Sequence, residues 1–123
     1  MATELIDSGK REQYSPSSAV REPEKGKGRY DLISPIALHR LAQHYENGTA
    51  RYADRNWEKG IPLSRCLSSA ARHLNKLIAG MDDEDHAAAV CWNIFAYMHI
   101  KEMVNRDKLS ETYNNMPEGI GDL

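Results

Sequence analysis

At 123 residues and 13.9 kDa, with 41% hydrophobic against 28% charged residues, the chain fits one small soluble domain and leaves no room for two. Sixteen Lys+Arg against eighteen Asp+Glu give a formal charge of −2, which argues against a general nucleic-acid binder, whose affinity comes from cations displacing counterions on phosphate. A local basic cluster still suffices for a small anion, so a nucleotide-sized ligand stays open.

Residues 1–28 hold four Ser, three Gly and two Pro with almost no periodic apolar signal, and are expected to form a flexible arm. Its end, Gly26-Lys27-Gly28-Arg29, sets two cations among glycines that let the backbone approach an anion; it reads equally as a solvated basic linker and is not a phosphate-binding P-loop. A first helix is predicted from Ser34 as cap and Pro35 at the first helical position to about residue 52, with Leu38, Leu41, Ala42, Tyr45, Thr49 and Tyr52 at 3–4 spacing. On that wheel Glu46 falls about 80° from Leu38, at the margin of the stripe, so its carboxylate is expected to be half buried or a rim group. Residues 53–61 read as a structured loop in which Trp57 serves as an anchor or a stacking surface. A second helix begins near Pro62 and carries Leu63, Cys66, Leu67, Ala70, Ala71, Leu74, Leu77 and Ile78 in one stripe ended by Gly80, without an acidic residue.

A third helix opens at Asp82-Asp83-Glu84-Asp85, with Asp82 as the expected cap and the other acids favoured at the positive end of the helix dipole. Twelve of the fourteen residues from Ala87 to Ile100 are apolar, which predicts a central element or a subunit interface. Its polar exceptions His86 and Asn93, seven apart with Asp82 one turn earlier, form a line that serves structure or a ligand; a buried amide without a partner costs about 1–3 kcal/mol. Residues 107–123 read as an irregular acidic tail. Cys66 and Cys91 fall on apolar faces and are expected to be reduced packing residues. The first ten residues lack the apolar run of about 7–15 residues of a secretory signal, and the Ala87–Ile100 stretch is shorter than the roughly 20 residues that span a bilayer, so a cytoplasmic location without membrane contact is expected.

Nucleophile motifs and His-Glu-x-x-His are absent. Acidic residues at the start of a central helix, a marginal Glu46 and scattered cations suit Mg²⁺, which takes oxygen ligands and commonly binds through one or two carboxylates plus the substrate's phosphates. That pattern permits phosphoanhydride hydrolysis but is also ordinary helix design.

Gly28-Arg29-Tyr30-Asp31-Leu32, then Gly48-Thr49-Ala50-Arg51-Tyr52-Ala53-Asp54-Arg55-Asn56-Trp57-Glu58-Lys59-Gly60, Arg72-His73-Leu74, Glu84-Asp85-His86 and Trp92-Asn93 closely resemble the phage and bacterial dATP/dGTP diphosphohydrolase N-terminal-like family, from about Ala19 to Met103. That family is regarded as related to the MazG-like all-α nucleotide pyrophosphohydrolases, which use Mg²⁺ to cleave nucleoside triphosphates to monophosphate and pyrophosphate. The chain departs from the MazG-like pattern of Glu-Glu-x-x-Glu and Glu-x-x-Asp helices: Glu46 stands alone on helix 1, and only Asp82-x-x-Asp85 approximates the second motif. Many relatives also carry a second His where this chain has Ala89.

The expected architecture is therefore all-α: an arm over 1–28, a three-helix domain over 29–106 and a tail over 107–123, pairing as a homodimer. The resemblance implies Mg²⁺-dependent hydrolysis of dATP or dGTP, in the host cytoplasm if phage-encoded. Glu46, Asp82 and Asp85 are then the metal candidates, and Glu46, Asp85, His86 and Asn93 the catalytic ones. Lys27, Arg29, Arg55, Asn56, Trp57, Arg72 and His73 are the candidates for binding substrate. A non-catalytic nucleotide-binding or protein-interaction module is the alternative.

Overall fold

The computed structural model describes residues 9–123, which divide after Ile33 into two units; the part of the expected arm over residues 1–8 lies outside the described residues.

In the first unit, β1 (Glu12–Tyr14) pairs antiparallel with β2 (Ala19–Arg21), in the register Glu12↔Arg21, Gln13↔Val20 and Tyr14↔Ala19. The turn between them closes with the Ser18 N–H donating to the Tyr14 carbonyl at 2.7 Å. All six strand residues are exposed, so the hairpin has no buried face to print an alternating pattern on the sequence. A single 3-10 turn, Tyr30–Leu32, ends the unit.

The second unit is helical: α1 (Pro35–Gly48), α2 (Leu63–Ile78) and α3 (His86–Asn105). The chain is thus mostly helical with a small two-stranded sheet, rather than purely helical. Ser34 caps α1, its Oγ accepting from the Ala37 N–H at 3.2 Å. The helix stops at Gly48 instead of continuing to residue 52. The Thr49 hydroxyl donates to the Glu46 carbonyl at 2.7 Å, satisfying a terminal acceptor, and residues 50–52 follow as turns.

No side chain of its own caps α2, whose N-cap is Pro62. The cap comes from Asn115, 51 residues along the chain: its Oδ1 accepts from the Ser64 N–H at 3.0 Å and its Nδ2 donates to Ser64 Oγ at 2.7 Å. α2 ends in a Schellman turn, with Gly80 at φ 78°, the Gly80 N–H on the Leu77 carbonyl and the Met81 N–H on the Lys76 carbonyl.

Asp85, not Asp82, caps α3, its side chain accepting from the Ala88 N–H. The three aspartates of that run are all of a type that caps, and Asp85 also finds Arg40 of α1 across the bundle. The far end repeats the Schellman geometry with Asp107 at φ 57° in the left-handed position, Asp107 N–H on Val104 and Lys108 N–H on Met103.

α3 packs against both other helices, mainly α2, as a central element should. Ala88, Ala89 and Ala96 are buried on it, and such small side chains let neighbouring backbones come close. Leu63 and Cys66 of α2 join Ala96, Ile100 and Val104 of α3 in the core. Leu109, Tyr113 and Met116 also pack on this core, and Glu111–Tyr113 forms a 3-10 turn, so the first part of the expected irregular tail is built into the domain. The Tyr113 ring lies where a Cβ on Gly60 would be only 2.6 Å away, which together with φ 119° demands glycine there.

Two packing expectations change. Leu74, Leu77 and Ile78 of the α2 stripe are exposed, because α2 runs on past the point where His86 opens α3 opposite His73. Cys91 is exposed while Cys66 is buried; on the same outward side of α3, Phe95 and Met98 are about half exposed. Among the described residues no helix is long and apolar enough to cross a membrane.

Candidate functional site

The end of α1, the loop through Trp57 and the N-terminal turn of α3 border an open cleft of about 1160 Å³. Because α1 terminates at Gly48, the chain turns back across its own end, and the loop's 3-10 turn (Asn56–Lys59) packs on α3. Aromatic rings hold that loop. Trp57 meets His99 of α3 edge-on at 4.8 Å between centroids and Tyr45 of α1 at 6.2 Å, while Tyr45 and His44 both contact Trp92 at 6.0 Å. Trp57 therefore anchors the loop, and it also lines the cleft, as Tyr45 and Trp92 do. Burial pushes the Tyr45 hydroxyl above its ordinary value.

Arg55 stands at the head of the 3-10 turn in the left-handed region at φ 59°, a conformation that disfavours any residue with a Cβ by about 1–2 kcal/mol. Its guanidinium pairs with Glu58 at 2.6 Å. Arg55 and Asn56 line the cleft together with Arg40 and Arg51. Four carboxylates do likewise: Glu46, Asp54, Glu84 and Asp85.

Of the expected metal set, Glu46 and Asp85 both line this cleft; Asp82 is not among its lining residues. Glu46 is exposed rather than half buried, since α1 ends two residues later and nothing covers its outer side. Asp85 is committed elsewhere. Its two oxygens accept from Arg40 Nη2 at 2.6 Å and Nε at 2.9 Å, and Oδ1 also caps Ala88. The Arg40 guanidinium holds the Asp85 carboxyl below its ordinary range. Mg²⁺ takes oxygen ligands, and Glu46 and Asp54 are the wall carboxylates held neither by Arg40, as Asp85 is, nor beside the histidine pair, as Glu84 is.

The other sequence candidates separate. Asn93 is buried and donates from Nδ2 to the Ala89 carbonyl at 2.8 Å, within its own helix. Arg72 donates to Ser68 Oγ at 2.5 Å along α2 and is not on the cleft wall. Lys27 and Arg29 belong to the first unit, where they line a smaller hollow of about 270 Å³. There Arg29 forms a two-pronged pair with Asp31, at 2.9 Å and 2.7 Å.

His86 and His73 meet each other instead of the cleft. Their Nδ1 atoms are 3.0 Å apart, and His86 Nε2 is 2.7 Å from Asp83 Oδ1. Glu84 Oε1 lies 3.2 Å from His73 Nδ1 and 3.6 Å from His86 Nδ1. His86 is about 1% exposed. Desolvation shifts His73 below its ordinary value, against the pull of Glu84 in the other direction.

Sequence reasoning passed over Arg40, His44, Tyr45, Arg51, Asp54 and Trp92 as cleft residues. Arg51, Asp54 and Trp92 sit within the stretches that carry the family resemblance and were open to selection on that ground. Arg40 and His44 had no local signal, since their role depends on a helix about 45 residues away. No curated protein and no solved structure matches this chain. The family described as dATP/dGTP diphosphohydrolase, N-terminal, matches residues 17–110, a span that takes in all three helices and every residue of the cleft wall, and the chain belongs to that family.

Proposed function

We propose that the chain hydrolyses a purine deoxynucleoside triphosphate, dATP or dGTP, to monophosphate and pyrophosphate, with Mg²⁺ arriving on the triphosphate. The observation that carries this reading is the cleft wall of the family's domain, where aromatic rings, guanidinium groups and carboxylates stand together. Glu46 and Asp54 are the residues that would hold the ion, which supplies neutralisation of charge on the phosphate oxygens. Arg51 and Arg55 bind phosphate and offset the charge that builds on the leaving pyrophosphate. Trp57, already fixed by Tyr45 and His99, offers a ring to the base without losing side-chain freedom on binding. Glu46 orients the attacking water as general base.

The test is incubation of the pure chain with each dNTP, with and without Mg²⁺, and quantification of monophosphate and pyrophosphate. Metal-dependent product from dATP or dGTP is expected. Glu46→Gln and Asp54→Asn are each expected to lower kcat by about 10²-fold or more, and Arg55→Ala to raise KM. Absence of product from every nucleotide overturns hydrolysis.

One observation favours a second reading, a nucleotide-binding module without catalysis: Asp85, the acid at the head of the central helix, is tied to Arg40. Nucleotide that raises the melting temperature while yielding no product supports the module. A homodimer through the outward side of α3, with Phe95 and Met98, belongs to the same proposal; sedimentation equilibrium reads it directly, and Phe95→Glu is expected to give a monomer.

A further inference from the structure

We propose that His73, Glu84 and His86 form a binding site for one divalent transition-metal ion, of the Zn²⁺ or Co²⁺ kind, distinct from any Mg²⁺ brought by a nucleotide. Three potential ligand atoms lie together: His73 Nδ1, His86 Nδ1 and Glu84 Oε1, separated by 3.0, 3.2 and 3.6 Å. Sides of those lengths define a circle of radius about 1.9 Å, so an ion at the usual ~2.0–2.2 Å from nitrogen and carboxylate oxygen sits just off the plane of the three atoms. Tetrahedral bonds of that length separate neighbouring ligands by about 3.3 Å, within the observed range. The side of the ion away from the plane stays open for water or another ligand.

The surroundings meet the further requirements of such a site. Asp83 Oδ1 accepts a hydrogen bond from the Nε2–H of His86 at 2.7 Å, the arrangement that leaves the lone pair on Nδ1 and orients the ring. A carboxylate behind a histidine in this way is the usual outer partner of a metal ligand. His86 is buried, so its ring cannot swing away, while His73 is partly and Glu84 largely open to solvent, which gives the ion a way in. Asp83 and Glu84 together balance a dication. With the ion bound, His73 carries its single ring proton on Nε2. Two imidazoles and one carboxylate select a borderline transition metal over Mg²⁺, which favours an all-oxygen shell. Glu84 also lines the cleft, so the ion would lie at the cleft's edge, but the site does not depend on nucleotide hydrolysis.

The experiment is titration of the chelator-stripped full chain with Zn²⁺, Co²⁺ and Mg²⁺, without nucleotide. It is read by metal analysis after gel filtration, by melting temperature and by the visible ligand-field spectrum of Co²⁺. One Zn²⁺ or Co²⁺ per chain, a raised melting temperature and a Co²⁺ spectrum that Zn²⁺ abolishes and Mg²⁺ does not are expected. Asp83→Asn should weaken Co²⁺ binding about 10–100-fold through the outer partner alone. The partly exposed ligands make His73→Gln and Glu84→Gln suitable variants; each should weaken it at least as much while the helical circular-dichroism signal persists. Co²⁺ affinity unchanged in both ligand variants, or Mg²⁺ displacing Co²⁺ at equal concentration, overturns the proposal.

Discussion

Asp85 has two jobs that ordinary substitutions separate. It caps α3 through Ala88 and anchors Arg40 of α1. Asp85→Ala removes both and is expected to cost about 1 kcal/mol or more in urea unfolding, whereas Asp85→Asn keeps a capping oxygen and costs less. The pH dependence follows from the direction of the shift. Because Arg40 holds the Asp85 carboxyl below its unfolded value, the pair's contribution is complete above about pH 4 and is lost as pH falls through the folded value. The stability gap between the native chain and Asp85→Asn should therefore close in acid. The two thiols give a second residue-scale test. Burial raises the Cys66 thiol and shields it, while Cys91 is exposed on the single chain, so an aromatic disulfide reagent should react quickly with one thiol per folded chain in the monomeric Phe95→Glu variant and with two in denaturant.

At the scale of elements, the ends of helices carry the clearest expectations. Asp107 occupies a left-handed position that glycine fills without a Cβ penalty, so Asp107→Gly is expected to raise unfolding free energy by about 0.5–1 kcal/mol. Asn115→Ala should lower it by about 1 kcal/mol by leaving the first turn of α2 uncapped. These contrasts also show what was legible in the sequence. The start of α1 at Ser34-Pro35 and the end of α2 at Gly80 are written within a few residues, and both were readable. Three aspartates in the acidic run before α3 gave three possible caps, and the choice of Asp85 rests on Arg40, 45 residues earlier. The hairpin left no trace because neither of its faces is buried.

At the scale of the whole molecule, the central position of α3 followed from its apolar composition, and the packing of Leu109, Tyr113 and Met116 did not, since those residues keep no helical period. The site was legible in kind more than in membership. Glu46, Asp85, Arg55, Asn56 and Trp57 share the cleft, but His86 was read along its own helix and its real partner, His73, lies 13 residues back across a turn. No spacing rule for metal ligands on one helix finds such a pair. His73→Gln in the absence of metal should leave the fold intact, because the Asp83 contact still orients His86; near-ultraviolet circular dichroism checks this.

The cap that α2 borrows from Asn115 sets an order on biosynthesis. While the ribosome has released only the three helices, the first turn of α2 lacks its distant partner and the core lacks Tyr113 and Met116 as cover. A nascent chain halted after residue 106 would thus present Leu63 and Val104 with part of their packing missing, and chaperones or proteases would meet it in that unfinished form.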